Sequence, residues 1–138
     1  MWTGLGARSV AGRWHSKGVP VVYTSASLAL AAVETLVHLD STEILLLAFV
    51  KCPVTFDDSM LEKVKLSNLP SNWRTDPSPP ILRRFGDAWV KGARSAVLAV
   101  PSCAVPGEWN YVLNRAHRDF SKLSFGKVEP FQFDPRLA

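Results

Sequence analysis

Cysteine is nearly missing from this 138-residue chain, which holds two, Cys52 and Cys103, without a CxxC spacing. That argues against a disulfide framework and a thiolate metal site, and both read as reduced, buried thiols. Like charges never run to five in a row, which excludes a basic or acidic tail. The 16 Lys and Arg against 12 Asp and Glu leave a net charge of +4, with a pI near 9.3. Such mild, scattered charge favours an ordinary solvated surface over nucleic-acid binding, while still attracting an anionic ligand or an acidic partner. The longest apolar run, Ile44 to Val50, falls far short of the roughly 18 residues a membrane span requires. Met1 to Gly18 is polar, Gly-rich and basic, without the apolar segment of a signal peptide. The expectation is a soluble, cytoplasmic protein. A P-loop, a GxSxG elbow, a GxGxxG motif, a metal-ligand cluster and an internal repeat are all lacking.

What is present suits one core. The hydrophobic fraction is 47% and the charged fraction 20%, both ordinary for a globular chain. A chain of this size buries about 68–70% of its unfolded surface, so residues 1–138 are expected to form a single domain.

The most specific stretch is Gly12 to His38, GRWHSKGVPVVYTSASLALAAVETLVH. A basic loop, Gly12–Gly18, is bounded by two glycines that permit positive φ and close approach of a ligand to the main chain. Arg13 within it carries a planar fork that matches phosphate geometry. Val19–Tyr23 reads as a strand, with Pro20 confined to its first positions or to an edge. Thr24, Ser25 and Ser27 all suit an N-cap, so a helix is expected from about Ala26 to Leu39, starting within a residue or two of Ser25. Leu28, Leu30, Val33, Leu36, Val37 and Leu39 make that helix apolar nearly all round, which predicts burial on most faces. Glu34 shares a stripe with Leu30, Val33 and Val37. A carboxylate there is costly unless paired or used, which marks it as a candidate functional group. His38 suits a core or C-capping role.

Further along, Ile44–Cys52 reads as a continuous apolar strand, central in a sheet. Phe56–Leu66 holds a short irregular piece and an edge strand at VKL. Ser67–Pro80 is a Pro-rich surface loop in which Trp73 is an anchor. Pro79 or Pro80 opens a helix over Ile81–Lys91, closed by Gly92. Ser95–Val100 is a second buried strand, stopped by Pro101 and followed at once by Ser102, a hydroxyl at a strand end. Glu108–Asn114 offers Asn110 and Asn114 as hydrogen-bonding groups, with His117 beyond. Lys122–Phe133 reads as a final strand kinked at Gly126. Met1–Gly6 has little to form a packed element, and a strand preceding the Gly12 loop is expected to be missing or supplied by another segment or a partner. Taken alone, these residues describe an α+β chain with a site for an anionic ligand and one carboxylate.

The segments GRWHSKGVPVVYTSASLALAAVETLVHL, RRFGDAWVKGARSAVLAVPSCAVPGEWNYVLN, AHRDF and EPFQFDPRL resemble, in order, those of the RES-domain family. Its members are the toxin halves of bacterial toxin–antitoxin pairs whose antitoxins are Xre-like. The spacing agrees as well, with ten positions from Arg13 to Tyr23 and eleven from Tyr23 to Glu34. Ser102 falls in the family's VPS segment. The family's leading N-terminal strand is expected to be absent from this chain, which also reads AGRWH, with Ala11 and His15, where GGRWN is usual.

The resemblance implies an ADP-ribosyltransferase-like fold, a split β-sheet core flanked by helices. It implies NAD+ as a substrate and no separate cofactor, with the nicotinamide–ribose bond cleaved by hydrolysis, phosphorolysis or ADP-ribosyl transfer. Glu34, Arg13 and Tyr23 would be catalytic: Glu34 would stabilise the developing positive charge, Arg13 would grip phosphate, and Tyr23 would contact nicotinamide or ribose. Ser102, Asn110 and His15 would join Arg13 and Tyr23 in binding the substrate. The expected partner is an Xre-like antitoxin that occludes the site and makes any DNA contact, with a homodimer inside the complex. Two alternatives stand beside this: a catalytically weak or inactive RES domain that acts as an antitoxin-binding module, and a ribonuclease-type toxin using His15, His38 and His117.

Overall fold

A computed structural model describes residues 12–39, 41, 43 and 47–137. The expected absence of a leading strand, and the opening of the Ile44–Cys52 run, lie outside these residues.

The fold grows from its most apolar strand. Val97–Pro101 (VLAVP) has all five residues buried and is central in a four-stranded sheet. The strands are β1 (Val21–Ser25), β4 (Leu61–Lys63), β5 (Val97–Pro101) and β6 (Trp109–Asn114), in the order β1-β6-β5-β4. β6 pairs antiparallel with both β1 and β5, while β4 pairs parallel with β5. That parallel pair requires a crossover, which helix α2 (Pro80–Gly92) supplies. Helix α1 (Leu28–Val37) follows β1 directly. Two further pairs, β2 (Phe49–Lys51) with β8 (Glu129–Phe131) and β3 (Val54–Thr55) with β7 (Ser124–Phe125), form separate two-stranded sheets. The split sheet and flanking helices are the α+β architecture expected.

Each face of the main sheet has its own core. Leu98, Val100 and Val112 pack with Val21, Trp14, Leu82 and Trp89 on one side. Val97 and Leu113 pack with Ala96 and Leu123 on the other, where Phe56 and Phe125 close the edge. In α2 the buried residues Leu82, Gly86 and Trp89 recur every three or four positions, the spacing of one helical face. Trp89 is completely buried, and its indole N–H donates to Ser95 Oγ at 2.7 Å.

Several expectations change. The Phe49–Lys51 part of the Ile44–Cys52 run is not a central strand. It lies in a two-stranded pair with Val50 58% exposed, because residues 129–131 are its only described ladder partner. The final strand is two short strands in different sheets, since Gly126 donates its N–H to Pro53 O and turns the chain between them. The edge strand falls at Leu61–Lys63 rather than VKL. Helix α2 ends in the left-handed residue Ala93, one position beyond Gly92, with its N–H bonded to Val90 O. α1 is a surface helix rather than a buried one: Leu30 is its one fully buried residue, and Leu28 and Val37 stand 45% and 59% exposed. Cys52 and Cys103 are free but only half-buried.

Candidate active site

β1 ends where the sheet's polar groups begin. Side chains alternate along a strand, so Val21, Tyr23 and Ser25 share one face. Ser25 lies opposite Asn110, and Asn110 opposite Val100, in the ladder. Ser102, two positions past Val100, continues that face. The apolar core therefore gives way, at one end of one sheet face, to Tyr23, Ser25, Asn110 and Ser102.

Glu34 reaches this end from α1. Ser27 caps the helix, its side chain accepting from Leu30 N at 3.1 Å, so the cap is two residues past Ser25. Two turns past the cap, the Glu34 carboxylate accepts two hydrogen bonds, from Asn110 Nδ2 at 2.7 Å and from Ser102 Oγ at 3.3 Å. Both partners are themselves held. Ser25 Oγ donates to Asn110 Oδ1 at 2.6 Å, and Val105 N–H donates to Ser102 Oγ at 3.0 Å. Ser102 is fully buried and Asn110 is 8% exposed. Their hydrogen bonds aim at the carboxylate, so their geometry is that of groups orienting Glu34 rather than of groups facing an open substrate space.

The second cluster lies about 7 Å along β1, two strand residues from Ser25. The Tyr23 hydroxyl accepts from Trp14 N at 3.3 Å and stands 2.6 Å from His15 Nδ1. The residue is 40% exposed while its hydroxyl points inward, over Gly12. Burial of that hydroxyl raises the phenol above its ordinary range, and the negative charge of Asp87 adds to the rise. The phenol thus keeps its proton at neutral pH and serves as a hydrogen-bonding group. His15 is 3% exposed beneath it. A Cβ at Gly12 would press on the His15 ring and on the Tyr23 hydroxyl, which explains the glycine there.

Arg13 projects from the same turn. Its Nη1 donates to the carbonyls of Trp73, at 2.8 Å, and Thr75, at 3.1 Å. Among the described residues, Nη2 and Nε have no such partner. Trp73 packs against the core, so the 67–80 loop is anchored as its sequence implied. His38 is the C-cap of α1, and His117 caps a 3-10 turn, its Nδ1 accepting from Asp119 N at 2.9 Å. His117 thus has a structural role, while His38 caps through its backbone N–H and is itself exposed, outside the core. Among the described residues no three His, Cys, Asp or Glu gather into a metal-sized group.

A groove of about 780 Å³ adjoins the site. Tyr23 and Ser25 line its near wall, Ala31 and Thr35 of α1 its side, and Phe49 and Phe131 its far wall. Its size falls within the range of small-molecule sites. Sequence reasoning missed Ser25 as a partner of Asn110, and it missed Ser16 and Asp87. Ser25 was legible only as a cap candidate, and Asp87 stood in FGDAW without any local mark of its partner.

The chain is 38% identical to "Toxin Res" of Yersinia enterocolitica, across 99% of this chain and 90% of that protein. It is 36% identical to "Prs ADP-ribosylating toxin" of a Sphingobium species, across 98% and 85%. Among solved structures, it matches a chain of the M. tuberculosis MbcT–MbcA toxin–antitoxin complex with a TM-score of 0.73. That match spans 98% of this chain and 78% of the other at 15% identity, a likeness of fold. A sequence profile of the RES domain matches residues 1–134, and the chain belongs to the RES-domain family.

Proposed function

We propose that this chain is the toxin of a toxin–antitoxin pair and acts on NAD+ by cleaving the nicotinamide–ribose bond. The observation that carries the reading is the Glu34 carboxylate, held by two donors on the sheet face that also bears Tyr23. When the C1′–N bond breaks, its electron pair leaves with nicotinamide and positive charge builds on the ribose. A fixed carboxylate beside that ribose stabilises the charge. An acceptor oxygen then bonds to C1′ and loses its proton. Arg13 has Nη2 and Nε for a phosphate, and its third contact point, Nη1, ties it to the 67–80 loop. Tyr23, as a neutral phenol with an exposed side, offers a stacking surface, while its hydroxyl holds the Gly12 turn. The relatives named as toxins, one of them ADP-ribosylating, support the class of activity.

The test is NAD+ consumption by the purified chain, with and without inorganic phosphate, and with Glu34→Ala as control. Glu34-dependent loss is the expected result, and its phosphate dependence identifies the acceptor. Persistence of the parent rate in Glu34→Ala would remove Glu34 from the mechanism. Equal NAD+ affinity in Arg13→Ala would remove Arg13 from the phosphate role. The second reading, an antitoxin-binding module, draws on the exposed apolar residues Leu28 and Val50 near the groove. It predicts a folded chain that leaves NAD+ intact yet binds a co-expressed antitoxin of the Xre type. None of the helices among the described residues is long and apolar enough to cross a membrane.

A further inference from the structure

We infer that Asp87 is a positioning residue of this site: its carboxylate grips Ser16 and so sets the turn that presents Arg13 and His15. The inference rests on the NAD+ reading for its chemistry and on the loop geometry for its structure. Both carboxylate oxygens serve one residue. Ser16 N donates to Oδ1 at 2.8 Å and Ser16 Oγ donates to Oδ2 at 2.5 Å. The preceding residue completes the seat. A Cβ at Gly86 would overlap the Trp14 carbonyl oxygen, so only glycine lets the turn lie this close to α2. Residues 14 and 16 are thus docked on consecutive positions of one helix, with Arg13 and His15 held on either side of Trp14.

The helix is a firm base, because Leu82 and Trp89 flank the seat and are almost completely buried. The turn also reaches the reaction side. Trp14 N and His15 Nδ1 both meet the Tyr23 hydroxyl, so a shift of the turn moves three site groups together. Asp87 lies close enough to that phenol for its charge to be felt there. Nothing in α2 itself calls for an aspartate, since its carboxylate accepts from Ser16. A misplacement on the order of 1 Å can cost about a hundredfold in rate, so a turn held at two adjacent points is a device of precision.

The experiment compares Asp87→Ala, Asp87→Asn and Ser16→Ala with Ser95→Ala, which removes the hydrogen bond of the Trp89 indole on the same helix without touching Ser16. Steady-state NAD+ kinetics, thermal midpoint and amide hydrogen exchange over residues 13–16 are read for each. Asp87→Ala should raise KM for NAD+ by about tenfold and speed exchange in the turn. Asp87→Asn, which keeps the shape and one acceptor, should restore most of both. Ser16→Ala, which keeps the backbone contact, should fall between. Ser95→Ala should lower the thermal midpoint while leaving KM and the turn unchanged. The inference is overturned if KM and exchange in Asp87→Ala match the parent, or if Ser95→Ala raises KM equally at equal loss of stability. Should the parent consume no NAD+, the proposed function fails separately. Exchange over residues 13–16 then decides, with unaltered protection in Asp87→Ala refuting the positioning role.

Discussion

Two apolar runs in this chain look alike and end differently. Ser95–Val100 becomes β5, buried at every residue and paired on both sides, and it delivers Ser102 to the Glu34 carboxylate. Ile44–Cys52 contributes Phe49–Lys51 to a two-stranded pair at the periphery, with Val50 mostly in solvent. Hydrophobicity is similar, but the number of ladder partners is not. A strand becomes central when both its edges and both its faces find partners. β5 has β4 and β6 at its edges and a core on each face. The lesson is that a greasy run announces burial of something, while topology decides where.

The contrast can be broken first at its strongest point. Leu98 on β5 is fully buried, and Leu98→Ala should cost about 2–5 kcal/mol in chemical denaturation, enough to threaten the fold. A loss under about 1 kcal/mol would mean that β5 is not the centre of the core. Ser102→Ala tests whether the same strand carries the site. It removes a donor to Glu34 and an acceptor for Val105 N–H, and should lower the turnover of NAD+ by roughly tenfold to a hundredfold. Turnover equal to the parent would reduce Ser102 to packing.

The edge strand β1 gives a pH test. The folded phenol of Tyr23 is raised above its unfolded value, so its contribution is fully present below about pH 10 and is lost as pH rises beyond that, where the unfolded chain ionises first. Thermal midpoints should decline in that alkaline range, and the decline should be flatter in Tyr23→Phe. An identical slope in the two proteins would show that the phenol is not shielded. The smallest effect belongs to the peripheral pair. Val50→Thr should change stability by no more than about 0.5 kcal/mol, and a larger loss would show that β2 is buried against something in solution.

Local features were legible in advance to the degree that their physics is local. The Ser27 cap, the opening of α2 at Pro80, the anchoring of Trp73 and the burial around Val97–Val100 follow from side-chain chemistry over a few residues. The two-stranded pairs were not legible, because their segments are short and their partners lie far along the chain. α1 misled because its apolar composition suggested burial, whereas small alanines let it lie on the surface over an open groove.

The amino-acid sequence by itself determined the family, the Arg13–Tyr23–Glu34 spacing, the capping residues and the helical face of α2. Each depends on residue type at short range or on a pattern matched along the whole chain. Only the tertiary structure decided that Ser102 and Asn110 meet Glu34, that Ser16 is gripped by Asp87, and that Arg13 is tied to the carbonyls of Trp73 and Thr75. Those contacts join residues some 60 to 76 positions apart, and the Arg13 contacts use backbone carbonyls, which every residue has. Pairings of that kind are set by how the sheet and α2 bring the chain back on itself, and no local preference encodes them.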